Sequence, residues 1–217
     1  KGFTLNNWQN PCGAPEVCSA LANSIKIGFL ATFFSTILGT MIAFAIGRHK
    51  FKGRSSANLL IFLPMATPEI VLGASLLSLF LVFKINPGFW PTVIAHVMFC
   101  ISFVVVTVKA RIASLDPRLE QAAMDLYANE FETFRRVTLP LVAPGIAGAA
   151  LLAFSLSFDD FIITNFNSGT VSTFPKFVYT AAARGIPAQA NVIGSGMFFL
   201  ALAIVIAGQF VNRRKAR

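Results

Sequence analysis

Five long apolar runs dominate the chain: Leu21 to Ile46, Leu59 to Phe83, Phe89 to Val108, Leu141 to about Ile163, and Val192 to Val211. Each reaches the roughly 20 residues that a helix needs to cross a ~30 Å hydrocarbon layer. They are too long for strands, and the short alternating segments of a membrane barrel are missing. Backbone in lipid must satisfy its own hydrogen bonds. The pattern therefore predicts an all-α integral membrane protein with five transmembrane helices, folded as one domain over residues 1–217.

The interruptions predict the rest. Pro64 and Pro68 should kink the second run. Asn86-Pro87-Gly88 predicts a tight turn, with Phe89 and Trp90 suited to the membrane interface. Between the third and fourth runs, residues 109–140 carry charges of both signs and predict two short helices. Asp116 before Pro117 reads as an N-cap with proline at the first helical position. Asn129, with Glu132 three residues on, reads as a second capping arrangement, and Pro140 as the end of that helix. A further short helix is expected near Lys176 to Ala183.

Composition agrees with the runs. Hydrophobic residues make up 55% of the chain and charged ones 12%, against about 25% in a soluble domain. The net charge of +9 would suit nucleic acid if it were gathered on a soluble domain, and it is not. Thirteen basic residues fall in three clusters, at 48–54, 109–136 and 213–217, against four (Lys1, Lys84, Lys176, Arg184) in the intervening segments. Positive-inside bias places those clusters, and the C-terminus, in the cytoplasm of a multi-pass membrane protein. The leading segment is then external. Five spans with an external start call for a sixth, preceding span in the full protein, a cleaved signal peptide being the competing reading. Cys12 and Cys18 bracket a short Gly/Pro loop, and whether they are free or bridged stays open, while Cys100 reads as a packed small hydrophobe.

Candidate chemistry sits where charge meets the apolar runs. A carboxylate near mid-membrane costs roughly 2.5 to 3.5 kcal/mol on insertion scales, so Asp159 and Asp160, about 100° apart around one helix, cannot both face lipid cheaply. They are candidates for a water-filled passage that attracts a cation, or for a structural bond to a neighbouring helix. Glu69 has the same two readings, with the backbone disturbed by Pro68 as its structural partner. His96 reads as a packed or hydrogen-bonded polar residue. No residues are assigned as catalytic or metal-binding. There is no His-Glu-x-x-His pair and no glycine-rich phosphate loop, so the chain is not read as an enzyme, and ATP chemistry would need another chain.

The segment Gln121-Ala122-Ala123-Met124-Asp125-Leu126-Tyr127-Ala128, closing on Leu139-Pro140, resembles the EAA loop of binding-protein-dependent ABC importer permeases. The spacing holds, with Gln121 where the family has Glu and Tyr127 where it has Gly. Glycine there permits a sharp turn, so the reading is that Asn129, which tolerates the left-handed region, takes up part of it. Thr67-Pro68-Glu69-Ile70-Val71, His96 to Cys100, Phe103 to Val108 and Ser157-Phe158-Asp159-Asp160-Phe161 are similar to the second permease subunit of spermidine/putrescine importers.

The resemblance implies a type I ABC importer permease, a multi-pass protein of the bacterial inner membrane. It implies a second permease, two ATP-binding subunits and an external substrate-binding protein as partners, within the lipid bilayer and without nucleic acid. No cofactor would be bound by this chain, ATP and Mg being used by the partner ATPase. The coupling loop, residues 112–140, would dock on that ATPase through Glu120, Gln121, Ala122, Ala123, Asp125, Leu126, Tyr127, Ala128, Leu139 and Pro140. Asp159, Asp160 and Glu69 would line the passage. Competing readings keep the importer with another cargo (an organic cation, an amino-acid derivative, iron or an oxyanion), or make the chain an ATP-independent channel or carrier, or a membrane enzyme.

Overall fold

A sequence this apolar folds into helices wherever its backbone is uninterrupted. The computed structural model describes residues 6–215, and Lys1 and Arg217 of the charge pattern lie outside them. In chain order the helices are α1 (Asn6–Gln9), α2 (Val17–Arg48), α3 (Arg54–Ala66), α4 (Glu69–Val82), α5 (Phe89–Ala113) and α6 (Arg118–Asp125). There follow α7 (Glu130–Thr133), a π-helical turn (Phe134–Thr138), α8 (Leu139–Asp159), α9 (Ile162–Asn167), α10 (Phe174–Ala182) and α11 (Ala188–Lys215). No strand occurs among the described residues.

Two of the five predicted spans, the first and the third, form unbroken in α2 and α5, and a further continuous helix long enough to cross runs from α7 to α8. The second predicted span is broken. Thr67 and Pro68 take extended backbone, and α3 and α4 diverge by 107°. Proline disfavours a helical conformation in the residue before it, and the chain breaks at Thr67 before Pro68, while Pro64 sits inside α3. The fourth run is also interrupted, because α8 ends at Asp159 and α9 resumes at Ile162. The fifth lies in α11, whose apolar stretch is described to Ala203.

Two compact units result. Unit one comprises Lys1–Ala22 with Ser172–Arg217, and unit two Asn23–Val171. In unit one, Val17 and Ala20 pack with Phe177 of α10 and with Ala190 and Ile193 of α11. A disulfide joins Cys12 to Cys18 beside that cluster, with their Cα atoms 5.4 Å apart.

Unit two is built around α5, the most enclosed of the long helices. Val104, Val105 and Val108 meet Ala149 and Ala153 of α8 and Leu76 and Phe80 of α4 in one core. Where α2 crosses, Gly39 lies so close to Val104 that a Cβ there would stand 2.7 Å from a valine methyl. Arg111 donates to the Leu141 carbonyl at 2.9 and 3.1 Å, tying the ends of α5 and α8.

Pro140 does not end a helix, contrary to the sequence expectation. The π-turn carries the chain into α8, with the Leu139 N–H bonded back to Phe134, and Pro140 falls within the first turn of α8. A missing donor is tolerated where the hydrogen-bond register is already changing.

Candidate functional site

Both helix breaks place a carboxylate at a membrane helix end. Glu69 is the first residue of α4 and Asp159 the last of α8, and both are exposed on the surface of the chain. Glu69 is near enough to Asp159 and Asp160 to feel their charge. The elements are brought together by α4 packing on α9, where Gly73 leaves room for Phe166 at what would be 3.0 Å from a Cβ. Asn167, fully buried, donates to the carbonyls of Gly73 at 3.3 Å and Ile163 at 2.9 Å. The Asn167 carbonyl in turn accepts the Gly88 N–H at 2.9 Å, fixing the start of α5.

Asp160 differs from its neighbour. Its side chain turns inward and caps α9, accepting from the backbone N–H of Thr164 at 2.9 Å and of Ile163 at 3.3 Å. The Thr164 hydroxyl donates to it at 3.1 Å. His96 of α5 completes the cluster. Its Nε2 lies 2.9 Å from Thr164 Oγ1 and 3.3 Å from Asp160 Oδ2, and its Nδ1 lies 2.7 Å from Ser157 Oγ. A proton on Nε2, with Ser157 donating to Nδ1, satisfies every partner. His96 is 1% exposed and Asp160 8%.

The charged segment 114–138 forms the second part of the site. Asp116 accepts the Arg118 N–H at 2.9 Å, opening α6, and Asn129 accepts the Glu132 N–H at 2.8 Å, opening α7. The Asn129 cap is where the sequence puts it, whereas at α6 the N-cap position is held by Pro117 and Arg118 is the first helical residue. The turn between the helices is made without Asn129. Asn129 keeps φ −73°, and Tyr127 itself adopts φ +63°, so the tyrosine takes the conformation for which glycine is usual. Tyr127 is 98% exposed, and Leu126 and Phe131 beside it are open as well. Gln121, Ala122 and Asp125 are exposed on α6, Ala123 and Ala128 are half-buried, and Leu139 and Pro140 lie at the start of α8.

Glu120 alone of the acidic residues in this segment is engaged by both oxygens. Arg48, the last residue of α2, donates to it through two guanidinium nitrogens at 2.8 and 2.6 Å, and the Thr138 hydroxyl at 2.5 Å. Beside this bridge lies a cleft of about 750 Å³ lined by Met41, Phe44, His49, Met124 and Phe134 among others.

The sequence pointed to the three carboxylates and the loop and did not single out Ser157, Thr164, Asn167, Arg48 or Thr138 as their partners. The one local signal is that aspartate is among the residues preferred at an N-cap. The long-range partners carry no local signal.

Over residues 35–214 the chain matches the family described as binding-protein-dependent transport system inner membrane component. It is 34% identical over 215 residues to the spermidine/putrescine transport system permease protein PotC of Haemophilus influenzae, covering 99% of this chain and 84% of that one. It is 36% identical over 186 residues to the putrescine transport system permease protein PotI of Escherichia coli, covering 82% of this chain and 66% of that one. Its fold is similar to a chain of the MetNI methionine ABC transporter in an inward-facing conformation, with a TM-score of 0.75 at 16% identity over 91% of this chain and 94% of that one. With broken and continuous spans around α5, a charged two-helix segment, and a family match over most of its length, this chain is a binding-protein-dependent transport system inner membrane component with the type I ABC importer permease fold.

Proposed function

We propose that this chain is the permease subunit of an ATP-driven polyamine importer, forming with a second permease the passage for spermidine or putrescine. The observation that carries the cargo class is the pair of exposed carboxylates, Glu69 and Asp159, at two breaks in apolar helices. Lipid would penalise them, whereas a water-filled passage for cations would use them. Similarity to permeases named for spermidine and putrescine supports the same class. Asp160 contributes to the passage by fixing the break and by its charge.

The coupling loop faces the cytoplasm, as does the C-terminus. Leu126, Tyr127 and Phe131 there form an exposed apolar edge suited to a groove on an ATP-binding subunit. Two such subunits and an external substrate-binding protein complete the assembly. ATP and Mg are used on the ATP-binding subunits, and this chain transports without catalysing. Closure of the ATPase dimer moves the helices between inward- and outward-open states as rigid bodies.

The test is uptake of labelled spermidine by proteoliposomes holding the whole assembly, with and without ATP on the ATPase side. Uptake that requires both ATP and the loaded binding protein is expected. Intact assembly and ATP hydrolysis without uptake of spermidine or putrescine would sink the cargo assignment.

A further inference from the structure

We infer that Arg48, Glu120 and Thr138 form the strut that carries motion from the coupling loop to the spans, with Arg48 as its positioning residue. The inference rests on the importer reading above and adds to it a residue outside the loop. A loop that docks on a motor must be tied to the helices it moves, or the displacement is absorbed in bending. In unit two that tie is localised. A cleft of about 750 Å³ lies between the end of α2 and helix α6. Across this gap runs the two-pronged Arg48–Glu120 bridge, at 2.6 and 2.8 Å. Nearby, Phe44 and Phe134 meet edge to face with ring centres 5.3 Å apart.

The geometry suits transmission. A guanidinium bound through two nitrogens to both oxygens of a carboxylate fixes orientation as well as distance, which a single contact does not. Glu120 sits in the first turn of α6. Its partners stand at the end of α2 and at the last residue of the π-turn that leads into α8. One carboxylate therefore links α6 to two long helices. The bridge is only partly open, with side-chain exposures of 28% for Arg48 and 24% for Glu120, so solvent screens it less than a surface pair. The π-turn supplies a place where hydrogen-bond register is already altered, so it can yield while the strut holds. The sequence assigned Glu120 to contact with the ATPase, but both its oxygens are occupied within the chain.

The experiment uses the complete assembly in proteoliposomes and reads spermidine moved per ATP hydrolysed. Variants are Glu120→Gln, Arg48→Met and the exchanged pair R48E/E120R. In the single variants, ATPase association and hydrolysis should persist while the transport-to-hydrolysis ratio falls about tenfold, the effect expected on losing one charge-assisted bridge. The exchanged pair should recover most of that ratio. An unchanged ratio in both single variants, or an exchanged pair no better than they are, overturns the strut. If a single variant does not assemble, the exchanged pair decides alone: recovered assembly with coupling supports it, and no recovery overturns it.

Failure of the importer reading has a different signature, namely no spermidine uptake by the unaltered assembly. The strut is then judged without cargo, from nitroxide labels at Phe33→Cys on α2 and Leu151→Cys on α8. An ATP-driven change in label separation that disappears in Glu120→Gln supports it, and a change that persists overturns it.

Discussion

The two helix breaks that carry the carboxylates arise in different ways. Between α3 and α4, covalent chemistry makes the break: Pro68 forces Thr67 into extended backbone, and the bend of 107° follows. Its hydrogen bonds are local, the Thr67 N–H and hydroxyl both returning to the Leu63 carbonyl at 3.0 and 2.7 Å. Between α8 and α9 there is no proline. The chain leaves the helix because Asp160 bonds forward to Thr164 and Ile163 and sideways to His96, a residue 64 positions earlier in the chain. A break written into the backbone needs no partner, while one held by tertiary bonds depends on every member of its network. The first should tolerate change around it, and the second should not.

The most severe way to test that contrast is His96→Leu. Removing the imidazole leaves Asp160 buried against backbone donors and one hydroxyl, and should cost about 3 kcal/mol of stability. A large fall in the melting temperature of the purified assembly would show it, whereas an unchanged melting curve would mean that the α8–α9 break stands without its partner. Next come the carboxylates themselves. Asp159→Asn and Glu69→Gln should each lower spermidine uptake by about tenfold with assembly and stability retained, the loss of one favourable charge interaction. Asp160→Asn should lower stability as well as uptake, since it weakens a cap. Equal behaviour of Asp159→Asn and Asp160→Asn in both assays would erase the distinction between the exposed and buried aspartates.

Pro68→Ala should be milder. No buried polar group loses its partner, so stability should change by no more than about 1 kcal/mol. A loss matching that of His96→Leu would show that the two breaks are equally dependent on their surroundings. The smallest effect is expected at Tyr127→Gly, which relieves a left-handed tyrosine and should raise stability by up to about 1 kcal/mol in a thermal melt. A destabilised Tyr127→Gly would mean that the phenol ring contributes more than its backbone conformation costs.

The same contrast explains what was legible in the sequence. Apolar runs gave the helices, and Pro68 gave a bend, because both act through neighbours along the chain. Asn129 was legible as a cap for the same reason. The interruption at Asp160 was read as continuous helix, since His96, which holds Asp160 from α5, is brought in only by packing. Arg48 looked like one more positive-inside charge until the structure placed it against Glu120. Asn129 was expected to take up part of the turn because propensity favours asparagine there, whereas it caps α7 and Tyr127 makes the reversal itself.

That last feature bears on how such chains are recognised. A search pattern that insists on glycine at the loop reversal would discard this sequence, although Tyr127 at that position makes the reversal with φ +63°. The backbone shape is made here by a tyrosine at the apex. The residue at the apex is free to vary, within a cost of about one kcal/mol. Patterns built on the flanking alanines, the Asn129 cap and the Leu-Pro ending should therefore reach further than those anchored on the apex.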